Sequence, residues 1–369
     1  MPMPKAHDYI MDITAYVPGR ATAEGVANPV KLSANESVFG PSPKAVAAYK
    51  AIADGLALYP DGGSHDLREA VAETFKLDPA KLVFGAGSEE LLSMLVSCYA
   101  GPGDEVIFPE VSFIIYPILT SVSGATSVLV PNGDTMAADV DGILAAVTSD
   151  TKIVMIDNPN NPTGAYNNWD EVKRLHAGLR DDILLILDGA YAECATAVDY
   201  QAGEALVEST NNVVMTRTFS KMYALAGLRA GWCYAPDNVC DVINRVRLPF
   251  ALNLAAQAAA RAAVLDVDHA KAAVEFNNEG RAYLTASLSA LGLRVVPSQA
   301  NFVFIEFPDE EPVTAKNAND FLTKNGYLLR HIKGPLTNNF LRLTIGTEQQ
   351  NRSVVELLRE FLDGGHCDE

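Results

Sequence analysis

The sequence predicts an α/β fold, a parallel sheet covered by helices, followed by a second and smaller domain. Three observations carry that expectation. The chain has 369 residues, more than one hydrophobic core commonly fills. Short runs rich in β-branched residues recur between helical stretches, and they are apolar throughout, as strands buried on both faces should be. After about residue 250 the texture changes to alanine-rich helix, in AQAAARAAV and KAAVEF, before two further apolar runs, NFVFIEF and NFLRLTIG; no internal repeat is visible.

The earlier runs, in order, are KLVFGAG, DEVIFPE, TSVLVP, TKIVMIDNP, ILLILDGAY and NVVMTRTFSK. Four of them lead straight into chemically loaded residues: GAGSEE, DNPNNPTG, DGAY and TRTFSK. Ligands of open α/β sheets bind at the carboxyl ends of strands, so these four clusters are expected to converge. The sequence divides into an N-terminal arm and part of the small domain over 1–35, a large domain over 36–248 and a small one over 249–369.

In GAGSEELLSML, Ser88 is expected to cap a helix whose first turn holds Glu89 and Glu90. The free N–H groups of such a start, beside Gly87, suit a phosphate, and an ordinary glycine turn has the same pattern. A dinucleotide fingerprint using Glu105 lacks its third glycine. DNPNNPTG holds two X-Pro steps that stop a strand and make a constrained loop. There Asn161 is open to two readings, an amide offered to a ligand or an Asx-turn. Asp188, after ILLIL, is a partly buried carboxylate that needs a partner, and Tyr191 is placed to share its space.

TFSKMYALAGLRAGW sets Lys221 at a strand end in apolar surroundings, where a lysine becomes a usable amine nucleophile toward a carbonyl. Thr218 and Ser220 offer hydroxyls, and Arg229 offers a fork suited to phosphate. A ligand with both aldehyde and phosphate accounts for the stretch. Pyridoxal phosphate has both, and its ring nitrogen needs an acidic partner, for which Asp188 is the candidate.

The bulk numbers exclude other classes. A net charge of −18 opposes nucleic-acid binding. Cys98, Cys194, Cys233, Cys240 and Cys367 show neither metal-ligand spacing nor disulfide density, so no metal is expected. No run of about eighteen apolar residues occurs, and MPMPKAHDYIMD does not read as a signal peptide, so a cytoplasmic location is expected.

The ordered series KLSANESVFGPSP, LYPDGG, GAGSEE, DNPNNPTG, DGAY, TFSKMYALAGLRAGW, SQANFVF and LRLTIGT resembles the fold-type I pyridoxal-phosphate aminotransferases, and within them the histidinol-phosphate branch. The resemblance implies a mostly parallel seven-stranded sheet and a smaller α+β domain. It implies that Lys221 forms the Schiff base and shuttles a proton, that Asp188 pairs with the ring nitrogen, and that Asn161 and Tyr191 bond the ring oxygen. Gly87, Ser88, Thr218, Ser220 and Arg229 then form the phosphate cup. Tyr59 reaches the neighbouring subunit's cofactor, which implies a homodimer. Arg342 grips the donor's α-carboxylate, Arg330 is a second anion-binding arginine, and Tyr16 and Asn35 stand on the substrate side. Where many relatives carry a stacking aromatic this chain has Val111, which leaves Phe113, or as a lesser substitute Tyr116, to stack on the ring.

The expected reaction is transamination between histidinol phosphate and 2-oxoglutarate, a step of histidine biosynthesis. An aromatic amino-acid aminotransferase is the nearest alternative, a phosphothreonine decarboxylase a more distant one. A cofactor-binding protein without turnover is opposed by the intact lysine and the lack of a DNA-binding extension.

Overall fold

The computed structural model describes residues 4–15 and 19–365. Its strands are β1 (Val30–Lys31), β2 (Leu82–Gly85), β3 (Glu105–Pro109), β4 (Thr126–Val130), β5 (Thr151–Asp157), β6 (Leu184–Asp188), β7 (Val213–Thr218), β8 (Gly231–Tyr234), β9 (Arg294–Val296), β10 (Phe302–Glu306), β11 (Tyr327–Leu328), β12 (Arg330–His331) and β13 (Phe340–Thr344). Seven form one sheet in the order β2-β8-β7-β6-β5-β3-β4. The run from β7 through β6, β5 and β3 to β4 is parallel, and β8 lies antiparallel between β2 and β7.

The apolar runs work as expected in the middle of this sheet. Successive residues of β6 and β7 alternate between two cores, both of them covered. Ile186 and Val214 face one core with Leu91, Leu95, Tyr116 and Ile243 from the helices Ser88–Tyr99, Ile115–Ser123 and Asp237–Val246. Leu185, Leu187, Val213 and Met215 face the other, with Leu67, Val71, Val172 and Leu175. Two details differ from expectation. β4 is an edge strand with Leu129 half exposed, because a neighbour covers it on one side only. β8, the segment GWCY, is absent from the expected runs, since four residues opening on a glycine give no readable pattern.

A second sheet, β12-β13-β10-β9, is antiparallel throughout, and β1 pairs in parallel with β11. Its core joins Val303, Ile305, Leu341 and Leu343 to Leu284, Leu322, Val354 and, from far upstream, Leu32. The alanine-rich helix Leu254–Leu265, expected in the second domain, packs elsewhere. Ala256, Ala259, Ala260, Ala263 and Val264 repeat at i, i+3, i+4, i+7 and i+8 and are buried in the first core. Small side chains on that stripe let the helix lie close against the helices Pro43–Ala51 and His65–Phe75. The long helix Val267–Ala290 then carries the chain to the second core, where Leu284 and Leu288 sit.

Candidate active site

A cavity of about 1060 Å³ opens at the carboxyl ends of β5, β6 and β7, and residues of β12 and β13 line its other wall. The parallel strands end on this side together, so the residues that follow them meet there although they are far apart in sequence.

At one end lies the start of the helix Ser88–Tyr99. Ser88, expected as the cap, is the first helical residue, and Gly87 takes the cap position with φ of 92°. The left-handed backbone favours glycine, and a Cβ at Gly87 would fall 2.6 Å from Arg229 Nη2. Gly231, on β8, went unread in the sequence. A Cβ there would meet the Ser88 nitrogen at 2.3 Å, so this glycine is what lets the helix start lie against the sheet. Across from it the Thr218 hydroxyl donates to Ser220 Oγ at 3.0 Å and accepts from the Ser220 N–H at 3.1 Å. Arg229 donates to Ser220 Oγ at 3.2 Å and pairs with Glu89 at 3.3 Å. Helix N–H groups, two hydroxyls and a guanidinium thus converge, a donor set that suits a phosphate.

Asp188 stands in the middle, buried at the end of β6. Its Oδ2 accepts from the Tyr116 hydroxyl at 3.1 Å, and its Oδ1 accepts from the Thr216 hydroxyl and the Ala190 N–H, both at 3.1 Å. Burial pushes its pKa up, while those donors pull it back. A carboxylate held by three donors yet lining the cavity suits a protonated ring nitrogen. Tyr116, the lesser candidate for stacking on the ring, does not take that place: its ring is fully buried and its hydroxyl is spent on Asp188, so it supports the carboxylate. Phe113 does line the cavity, edge-on to Tyr116 at 5.9 Å, while Val111 is buried.

Lys221 follows β7 by three residues and lines the same cavity. Its pKa falls to about 8, first through burial, then through the nearby Arg342 and Arg229. Among the described residues no carboxylate lies within ion-pair distance of its amine, whose Nζ sits 5.6 Å from the centre of the Tyr191 ring. Beside Asp188, in register on β5, is a second buried carboxyl, Asp157. Burial pushes it up to about 8, the neighbouring Asp188 adds to that, and donors from Asn160 and Asn161 oppose it. Asp157, the first residue of DNPNNPTG, is not among the residues singled out in the sequence, since an aspartate before X-Pro steps carries no local sign that it will be buried beside Asp188.

The opposite wall comes from distant segments. Asn35, with φ of 56°, donates from Nδ2 to the Tyr191 hydroxyl at 2.7 Å and is tied to Thr344 by its own N–H at 3.0 Å. Arg342 donates to Asn161 Oδ1 at 2.5 Å and to the Ser33 carbonyl at 2.8 Å, and its guanidinium lies 5.3 Å from the Phe302 ring centre. Arg330 is the register partner of Arg342 and lines the cavity with it. Tyr59 is not among the residues lining this chain's cavity; it is 82% exposed and stacked on Phe250 at 4.7 Å. Tyr16 lies outside the described residues.

The arrangement offers an amine of lowered pKa, a carboxyl to hold a ring nitrogen, and anion-binding groups at two ends. Pyridoxal phosphate fits this donor set. Among the described residues there is no cluster that would hold a metal, and no helix is long and apolar enough to cross a membrane.

Comparison with known proteins agrees with this chemistry. The family model for aminotransferase class I and II matches residues 27–358. The histidinol-phosphate aminotransferase of Paramagnetospirillum magneticum is 48% identical over 98% of this chain and 99% of its own. That of Rhodopseudomonas palustris is 46% identical over 98% of each. A solved structure of histidinol-phosphate aminotransferase from Sinorhizobium meliloti in complex with pyridoxal-5'-phosphate matches with a TM-score of 0.89 at 26% identity, covering 98% of both chains. Thermus thermophilus aspartate aminotransferase, at 23% identity and a TM-score of 0.81 over 97% of this chain and all of its own, shares the fold.

Proposed function

The chain belongs to the class I and II aminotransferase family, and on that premise we propose that it moves an amino group between histidinol phosphate and 2-oxoglutarate with pyridoxal phosphate as cofactor. When bound, the cofactor supplies an aldehyde that takes up the amino group and a protonated ring that draws electrons from the reacting carbon. Arg229, Ser220, Thr218 and the backbone at Gly87 and Ser88 would hold its phosphate, Asp188 would hold its ring N–H, Asn161 and Tyr191 would bond its ring oxygen, and Phe113 would pack against the ring.

Lys221 carries the proton transfer. With its pKa near 8, a useful fraction of Nζ is neutral at working pH and takes a proton from the substrate carbon that bears the amine, later returning it. Arg342 holds the carboxylate of glutamate, and Arg330 with Arg342 accepts the phosphate of histidinol phosphate, with Asn35 beside them. The observation that carries this reading is the pair of anion-binding ends in one cavity, one for the cofactor and one for the substrate. The relatives named for histidinol phosphate support the choice of substrate.

The active form is a homodimer in this reading. Leu56, Leu58 and Tyr59 on one segment and Leu248 and Phe250 on another are exposed apolar side chains, the two segments meet where Tyr59 stacks on Phe250 at 4.7 Å, and exposed apolar surface of this kind suits a partner subunit whose site Tyr59 completes. A cytoplasmic location accompanies it, in keeping with free thiols at Cys98, Cys194, Cys233 and Cys240.

The test is a single-turnover measurement on the yellow, cofactor-loaded protein. Glutamate and histidinol phosphate are each expected to abolish the long-wavelength absorbance, and 2-oxoglutarate to restore it. A clear preference for phenylalanine over histidinol phosphate would replace this reading with an aromatic aminotransferase.

A further inference from the structure

Asp157 is buried and lines the cavity, yet the division of labour above leaves it without a part. It closes β5 in register with Asp188 at the end of β6, but the two carboxyls bond to different partners. Asp188 is held by groups of the sheet and the helix behind it. Asp157 turns to the loop that follows: Oδ1 accepts from Asn160 Nδ2 and Oδ2 from the Asn161 N–H, both at 2.8 Å. Asn160 also donates to the Val111 carbonyl at 3.0 Å and accepts from the Thr163 hydroxyl at 2.7 Å. The loop is thus tied on both sides of Asn161, whose Oδ1 then meets Arg342 Nη1 at 2.5 Å. A continuous path of contacts runs from the first sheet, through Asp157 and Asn161, to β13 of the second.

We propose that Asp157 is a positioning residue: by fixing the backbone of Asn161 it sets the place of Arg342, and with it the grip on the carboxylate of the amino donor. This rests on the role given to Arg342 above. The physical reason is the cost of buried donors. Removing both carboxyl oxygens leaves the Asn161 N–H facing nothing and takes one acceptor from the Asn160 amide, which costs more than the contact itself was worth, so the loop moves to find other acceptors. Asparagine at the same position gives up the acceptor for Asn160, whose amide keeps its bond to the Val111 carbonyl, but retains one carbonyl oxygen for the Asn161 N–H, the bond that fixes that backbone.

Wild type, Asp157→Asn and Asp157→Ala, each loaded with pyridoxal phosphate, are compared in two ways. Calorimetry gives the Kd of glutarate, a dicarboxylate that cannot react, and single turnovers with glutamate separate half-saturation from limiting rate. Asp157→Ala is expected to weaken glutarate binding about 10-fold and to raise half-saturation by the same factor, with the limiting rate within about 3-fold of wild type. Asp157→Asn is expected to stay within about 3-fold of wild type in every quantity. Equal weakening in both variants would show that the Asn161 N–H bond, which asparagine keeps, is not what positions Arg342, and would overturn the positioning role, as would wild-type glutarate affinity in Asp157→Ala. If the alanine chain does not fold, Asp157→Ser, with one short acceptor, replaces it: about 3-fold to 10-fold weaker glutarate binding supports the role, and unchanged binding overturns it. A wild type that does not respond to glutamate at all would instead defeat the aminotransferase reading on which the inference stands.

Discussion

The two walls of the cavity are built by different means. On the cofactor wall the contacts stay within the large sheet and the helices that cover it, with spans of 2 residues for Thr218 with Ser220, 28 for Asp188 with Thr216, 72 for Tyr116 with Asp188 and 140 for Arg229 with Glu89. On the substrate wall the spans are 156 for Asn35 with Tyr191, 181 for Arg342 with Asn161 and 309 for Arg342 with the Ser33 carbonyl. The first wall is the edge of one sheet with the helices packed on it, complete once that sheet and its covering helices form. The second exists only where two hydrophobic cores are joined, so its geometry is the more easily changed without loss of the first. Substitutions on the cofactor wall should strike every substrate alike, whereas those on the substrate wall should discriminate.

The largest expected effect lies on the cofactor wall. Lys221→Ala should lower turnover about 10⁴-fold with every amine, since no other group at that place can move the proton. Mixing that chain with a Tyr59→Ala chain should restore part of the activity if the proposed homodimer shares its sites, because a hybrid would then contain one site with both an intact Lys221 and an intact partner Tyr59. Steady-state assays on mixtures with verified subunit exchange measure this. Recovery at the level of the separate chains would remove Tyr59 from the partner's site.

A smaller and selective effect is expected from Arg330→Ala. Charge-assisted contacts to phosphate are worth about 1.5–3 kcal/mol, so single-turnover efficiency with histidinol phosphate should fall about 10 to 100-fold and with phenylalanine clearly less. Equal losses would abolish the contrast between the walls at this position.

The smallest effect is thermodynamic. Lys221 has its pKa lowered from 10.5 to about 8 in the folded chain, so the folded protein binds its proton less tightly than the unfolded one. The cost to stability is complete below about pH 8 and fades as pH rises toward 10.5. Cofactor-free Lys221→Met should therefore melt about 3 °C above wild type at pH 7, with the gap shrinking by pH 10. A constant gap across that range would show that Lys221 is not the group responsible.

Much of the first wall was legible because its signals are local. Apolar runs of β-branched residues mark strands that are covered on both faces, and the residues just after them fall at the open edge. The lysine after NVVMTRTFS, the aspartate after LLIL and the amide between two prolines all follow that rule. The exceptions have causes of both kinds: β8 is too short to show a period, whereas Gly87 takes the cap position ahead of Ser88 with a left-handed backbone, and the distant Arg229 guanidinium occupies the space a Cβ there would need. The alanine stripe of Leu254–Leu265 shows that this helix packs closely, but not against which core.

What the sequence by itself determined is the set of elements and the chemistry carried at their ends, because hydrophobic period, turn residues and side-chain type are properties of neighbours along the chain. Only the tertiary structure decided which of two adjacent carboxyls serves which partner. Asp157 and Asp188 end consecutive parallel strands alike, yet Tyr116 and Thr216 reach one and the Asn160–Asn161 loop reaches the other. That difference, like the meeting of Arg342 with Asn161, arises from packing between segments whose separation along the chain holds no record of their distance in space.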